Sequence, residues 1–159
     1  MKNKCSRTNE DGSETEYEAN HVIIATGARS RELASIPQDG KKVIGYREAM
    51  TLPKQPKKLI VVGSGAIGVE FAYFYNAMGT DVTLVEYMPK IIPVEDHEIS
   101  KQMERSFTMS GIKVITSAEV TKVNTSGKVV KATIKTKDGE EEISADIVLS
   151  AVGIKTNIE

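Results

Sequence analysis

Gly63-Ser64-Gly65-Ala66-Ile67-Gly68 follows directly on the apolar run Leu59-Ile60-Val61-Val62 and opens a segment with Ile67, Phe71, Phe74, Tyr75 and Met78 at helical spacing, ending at Gly79. No other feature constrains the fold as much. The apolar run reads as a strand covered on both faces of a parallel sheet, and the segment after the glycines reads as a helix stopped by a glycine. Between the two, Gly63 permits a tight turn, Gly65 lets backbone come close to a ligand, and Gly68 lets the helix pack against the strand. The helix N-terminus adds N–H groups without intrahelical partners and a partial positive charge, the arrangement that receives phosphate.

The motif gains weight from the residues downstream of it. Val82-Thr83-Leu84-Val85 reads as the next strand, and it ends at Glu86, 18 residues beyond Gly68, where a carboxylate accepts hydrogen bonds from an adenosine ribose diol. Strand, glycine turn, helix, strand and acid in this register predict a dinucleotide site rather than a purely structural turn. A carboxylate at position 86 repels a 2′-phosphate, no arginine lies between Tyr87 and Glu104, and Lys90 reads as a solvated lysine. The expected dinucleotide is therefore NAD and not NADP.

The remaining pattern completes an α/β reading. Asp96 to Met109 fits a helix with Asp96 as N-cap and Gly111 past its end, and Lys113-Val114-Ile115 fits a short strand. The period then changes to two: Val120–Asn124, Val129–Thr136 and Glu141–Ile143 predict three antiparallel strands joined at Ser126-Gly127 and Asp138-Gly139. A last strand runs from Ile147 to Val152 and stops at Gly153. Upstream, Lys4–Thr8 and Glu14–Glu18 flank Asp11-Gly12 as a hairpin, His21–Ala25 reads as a buried-type strand, and 30–56 reads as a connector with a short helix near Arg47–Met50. The fold class expected is a Rossmann-like parallel sheet with helices on both faces and a three-stranded antiparallel β-meander.

Composition excludes several functions. Lys and Arg number 21 against 22 Asp and Glu, a net charge of -1 that gives no electrostatic reason to expect a nucleic-acid or anionic-membrane partner. No apolar run approaches the ~18 residues of a membrane span and no signal peptide heads the sequence, so a cytoplasmic protein is the expectation. Cys5 is the one cysteine, so no internal disulfide or redox thiol pair is available. Neither His21, ahead of a strand, nor His97, in the first turn of a surface helix, suits an acid–base role, and no metal-ligand spacing is present. Catalytic and metal-binding residues are expected to be absent.

Thr26-Gly27 after an apolar strand, the string from Gly63 to Glu70, Val85-Glu86, Ile91–Pro93 followed by Asp96–Ser100, and Val152-Gly153 together resemble the central domain of the dihydrolipoamide dehydrogenases, class I pyridine nucleotide-disulfide oxidoreductases. The resemblance covers nearly the whole chain. It implies that Gly63, Ser64, Gly65, Ala66, Ile67 and Gly68 hold the NAD pyrophosphate and Glu86 the adenosine ribose. It implies further that Val120 lines the adenine pocket, that Gly153 lies near the nicotinamide half, and that Glu70 approaches the nicotinamide carboxamide; a carboxylate favoured by the helix dipole is the plainer reading of Glu70. Thr26, Gly27 and Ala28 would touch FAD in the complete enzyme.

By the same resemblance, residues 1–29 are the end of an FAD-binding segment, 30–150 the NAD-binding domain, and 151–159 the crossing back. The family's FAD-binding glycine motif, its C-x-x-x-x-C redox pair and its His-Glu pair are all missing, so the chain is expected to be a fragment without turnover of its own. The complete protein would be a homodimer working with the other subunits of a 2-oxo acid dehydrogenase complex. Mercuric reductase, NADH oxidase and coenzyme A disulfide reductase share the domain and stay open as sister readings. A stand-alone NAD sensor or a folded remnant without ligand are readings of a different class.

Overall fold

A computed structural model of the chain describes residues 2–158, which fall into two compact units: 29–155, and 2–28 together with 156–158. In the smaller unit β1 (Asn3–Thr8) and β2 (Glu14–Ala19) form the expected hairpin, closed by Asn9 and Gly12. Residues 21–27 form no strand, and Ile23 is 90% exposed. The apolar composition of Val22–Ala25 supplies a strand's side chains, but a strand exists only through ladder partners, and none of the described strands pairs with it. β3 (Ala28–Ser30) pairs instead with the last strand of the chain.

In the larger unit five parallel strands lie in the order β4-β11-β5-β6-β7, where β4 is Val43–Ile44, β5 Lys58–Val62, β6 Asp81–Val85, β7 Lys113–Ile115 and β11 Ile147–Ser150. Three helices, α1 (Tyr46–Met50), α2 (Ala66–Ala77) and α3 (His97–Met109), supply the connections. The antiparallel β8 (Glu119–Asn124), β9 (Val130–Thr136) and β10 (Gly139–Ala145) replace a crossover helix between β7 and β11, and β12 (Ile154–Thr156) pairs with β3.

Alternation along the central strands sorts the core into two layers. Leu59, Val61, Val82, Leu84 and Leu149 point to the side of α2 and α3, where they meet Val69, Ala72 and Phe107. Ile60, Val62, Val85 and Val148 point to the other side, onto Val120, Val130, Ala132 and Ile134 of the meander. The strands are thus buried on both faces, as their unbroken apolar runs required. Asp146 Oδ2 accepts from the N–H groups of Lys57 at 2.8 Å and Lys58 at 2.9 Å, which sets β11 in register with the start of β5. Asp96 caps α3 as expected, accepting from Glu98 N–H at 2.8 Å.

β4 lies in the stretch read from sequence as connector. Its cause is a turn: Asp39 Oδ1 accepts from the N–H groups of Lys41, Lys42 and Val43 at 2.8, 2.7 and 2.9 Å. The chain leaves that turn already aligned with β11, and two buried residues suffice for an edge strand. Burial pushes the Asp39 carboxyl up, but the three N–H donors and the Lys42 charge outweigh it and hold the carboxyl below its ordinary range. A group depressed in the folded state contributes stability above its unfolded value of about 3.9, and that contribution is lost as pH falls through the folded value. Amide exchange at Val43 should therefore quicken as pH is taken below about 4, relative to the amides of β5, and Asp39→Ala should abolish that difference in an NMR exchange experiment.

α2 is seated tightly on β5. A β-carbon on residue 68 would stand 1.9 Å from the Gly63 carbonyl oxygen, a backbone atom that cannot swing away. Gly68→Ala should lower unfolding stability by about 1–3 kcal/mol in denaturant titration, the usual cost of overpacking; an unchanged midpoint would mean that α2 is free to shift.

Candidate functional site

Sheet order locates the site before any side chain is considered. From β5 the chain moves outward through α2 to β6 and α3 to β7, while β11 and β4 lie on the opposite side of β5. The direction of winding reverses between β5 and β11, and in open α/β sheets ligands sit in the crevice at the carboxyl ends of the strands at such a point. A depression of about 710 Å³ opens there. Its walls are Val62 to Ile67 after β5, Val85 to Met88 after β6, Ala118 to Val120 entering β8, Ala151 to Ile154 after β11, and Arg31, Leu33, Ser35 and Ile36.

The glycine turn is shaped by contacts on every side but one. Gly63 has φ +95°, and a β-carbon on it would lie 2.6 Å from the Ala151 carbonyl oxygen, so the turn after β5 is pressed against the chain leaving β11. Gly68 is excluded from bearing a side chain by Gly63 itself. Gly65 differs: its φ of -66° suits any residue, and a β-carbon there would meet nothing within 4 Å. Neither packing nor backbone conformation of the chain calls for a glycine at 65. It stands at the N-cap of α2, a terminus without a side-chain cap, beside open space on the depression. A pyrophosphate approaching those N–H groups is what the missing side chain makes room for, so the residues present fit a dinucleotide.

Glu86 forms the second part of the site. It is 6% exposed, and its carboxylate is held by three donors: Oε2 accepts from Ser64 N–H at 2.7 Å and Ser64 Oγ–H at 2.6 Å, and Oε1 accepts from Met88 N–H at 2.7 Å. The backbone around it is pinned too. Glu86 N–H donates to Ile115 O, Ala118 N–H to Glu86 O, and Ser117 N–H to Met88 O, at 2.8, 3.0 and 2.9 Å. Ile92 N–H reaches Ser64 O at 2.9 Å from a backbone with φ +40°, a left-handed conformation unusual for a β-branched residue. Burial of Ile91 and Ile92 holds that conformation, which costs on the order of 1–3 kcal/mol, and so ties the loop after β6 to the glycine turn.

The structure brings Gly63, Ser64, Gly65, Ala66, Ile67, Glu86, Val120 and Gly153 to one depression. Gly68 is buried under the turn. Glu70 is exposed on α2 and lines two shallower grooves, one with Tyr73 and α3 residues and one with Met50, Phe71 and Phe74, rather than the depression at the glycine turn. Thr26, Gly27 and Ala28 line none of these cavities; Thr26 Oγ1 donates to Asn157 O, and Asn157 N–H donates to Gly27 O at 3.0 Å. Residues 31–36 were missed as a wall of the site, since the Leu33–Ile36 bridge that places them has no periodic signature. No cluster of metal-ligating side chains occurs among the described residues, and no helix among them is long and apolar enough to cross a membrane.

Comparison with known proteins agrees with this geometry. The family model described as pyridine nucleotide-disulphide oxidoreductase matches residues 1–159. A dihydrolipoyl dehydrogenase of Rhizobium etli is 51% identical over 144 residues, which are 90% of this chain and 30% of the relative. Among solved structures, LpdA from Mycobacterium tuberculosis superposes with a TM-score of 0.79 at 33% identity, over 98% of this chain and 33% of that one. An NAD-dependent persulfide reductase from A. fulgidus gives 0.69 at 31% identity, over 92% of this chain and 28% of that one. The chain thus spans about a third of the length of the proteins it matches. With its glycine turn at the winding reversal of a parallel sheet and a family match from end to end, the chain belongs to the pyridine nucleotide-disulphide oxidoreductase family.

Proposed function

We propose that this chain is the NAD-binding domain of a dihydrolipoyl dehydrogenase, the whole protein oxidising dihydrolipoamide to lipoamide and reducing NAD to NADH. The observation that carries the NAD site is the unfilled space beside Gly65, with Glu86 held at the same depression. The α2 N-terminus and Gly63 to Gly68 receive the pyrophosphate. Glu86 accepts from the adenosine ribose, Val120 lies under the adenine, and Gly153 backs the nicotinamide half. NAD when bound supplies the ring that accepts a hydride; the work of the chain is to orient that ring and keep water from it.

The share of relatives named dihydrolipoyl dehydrogenase favours that enzyme over sister oxidoreductases with the same domain. In the whole protein FAD is the second cofactor, with Thr26, Gly27 and Ala28 at its edge. Three largely exposed residues do not compose a flavin site on their own. We assign 1–29 to the flavin-binding part, 30–150 to the NAD-binding domain, and 151–159 to the return crossing. Glu70 reaches the nicotinamide carboxamide only if the dinucleotide extends past the α2 N-terminus toward α3. We also assign the whole protein to the cytoplasm, as a homodimer serving a 2-oxo acid dehydrogenase complex.

Calorimetric titration of the chain with NAD and, separately, NADP checks the cofactor. Saturable NAD binding with much weaker NADP binding is expected; equal binding of the two would remove the assigned role of Glu86. Gly65→Ala should leave the unfolding midpoint unchanged, because the added methyl meets nothing, yet weaken NAD binding by about 1–3 kcal/mol through collision with the pyrophosphate. Unaltered affinity in that variant would place the phosphates elsewhere.

A further inference from the structure

The Ser64 hydroxyl is the least obvious polar group at the site. It is fully buried, at 0% exposure, and it donates to Glu86 Oε2 at 2.6 Å while the N–H of the same residue donates to that same oxygen at 2.7 Å. A carboxylate offers about two acceptor directions on each oxygen. Oε2 is therefore saturated by one residue, and Oε1, with the Met88 N–H at 2.7 Å, keeps one direction open. With the Met88 N–H on Oε1, the two donors on Oε2 hold the carboxylate from both oxygens, and the Ser64 hydroxyl is the one side-chain donor among the three. The glycine turn that lines the depression thus helps to orient the Glu86 carboxylate, across 22 residues of sequence.

We propose that Ser64 is a positioning residue for sugar recognition: its hydroxyl orients the Glu86 carboxylate so that Oε1 presents its one open lobe to an adenosine hydroxyl. The proposal rests on the reading of the depression as an NAD site. It goes beyond that reading in assigning the Ser64 side chain, and not only its backbone, a part in selecting ribose over deoxyribose. Ser64 itself touches no sugar atom. Its effect is carried entirely through Glu86, so it must vanish when the carboxylate or the sugar hydroxyl is removed.

The test uses the 159-residue chain, titrated calorimetrically with NAD and with its 2′-deoxyadenosine and 3′-deoxyadenosine analogues. The parent should favour NAD over at least one deoxy analogue by roughly tenfold, the worth of one hydrogen bond to a charged acceptor. Ser64→Ala should lose roughly fivefold to tenfold in NAD affinity but change little toward that deoxy analogue, collapsing the preference. Ser64→Cys, with a weaker donor of similar size, should fall between. In a Glu86→Gln background, Ser64→Ala should have no further effect on the preference. A thermal melt of each variant establishes that the comparison is between folded proteins.

A loss in Ser64→Ala that is equal for NAD and for both analogues would overturn the proposal, since that is the signature of a turn that has merely loosened. A preference retained in Ser64→Ala would overturn it as well. Failure of the parent to bind NAD would instead defeat the underlying reading of the site, and the proposal with it. If Ser64→Ala does not fold, the Cys variant decides: a preference equal to the parent's contradicts the orienting role, and a reduced one supports it.

Discussion

The contact between Gly68 and the Gly63 carbonyl is the constraint on which the rest of the larger unit depends. With only 1.9 Å between that oxygen and the position a β-carbon would take, the first turn of α2 can sit directly on the end of β5. That seat aims the helix N-terminus into the space beyond the strands instead of past it. It also brings Val69 and Ala72 down onto Leu59, Val61 and Leu84, so one close approach serves both the core and the site. A larger residue would lift the helix, open the core layer and withdraw the N–H groups together.

From that seat the remaining parts follow by connection. The turn after β5 is wedged against the chain leaving β11, and its Ser64 is bonded on one side to Glu86 and on the other to Ile92. Three strand ends are thereby locked around one depression without any side chain standing in its middle. Such walls suit the proposed orienting role: a site already shaped before the ligand arrives loses less freedom on binding. The strained backbone at Ile92 is the counterpart of this rigidity, a local cost held in place by burial among the same apolar residues that support α3.

How much of this was legible in the sequence depended on the range of the interaction. The glycine turn, the two long helices, the Asp96 cap and the switch to a β-meander are local patterns of period or spacing, and the structure has them where the pattern put them. Glu86 was legible as an acid at the end of a strand, but its bond to the Ser64 hydroxyl was not, since nothing in either residue's neighbourhood encodes a partner 22 positions away. β4 depended on three N–H groups converging on Asp39, a turn geometry that composition only hints at. Val22–Ala25 failed in the opposite direction: the side chains look like a strand, and the ladder that would make them one is not formed by the described strands. Residues 31–36 enter the site through a bridge rather than a motif, and no sequence period could have flagged them.

The central claim is that the space beside Gly65 and the carboxylate of Glu86 receive the two halves of one adenosine diphosphate. A crystal structure of the chain grown with NAD tests it most directly. The account predicts pyrophosphate density against the N–H groups at the start of α2 and the adenosine ribose within hydrogen-bond distance of Glu86 Oε1, with the Ser64 hydroxyl still on Oε2. A nucleotide bound with its phosphates away from Gly65, or with its ribose turned from Glu86, would contradict it.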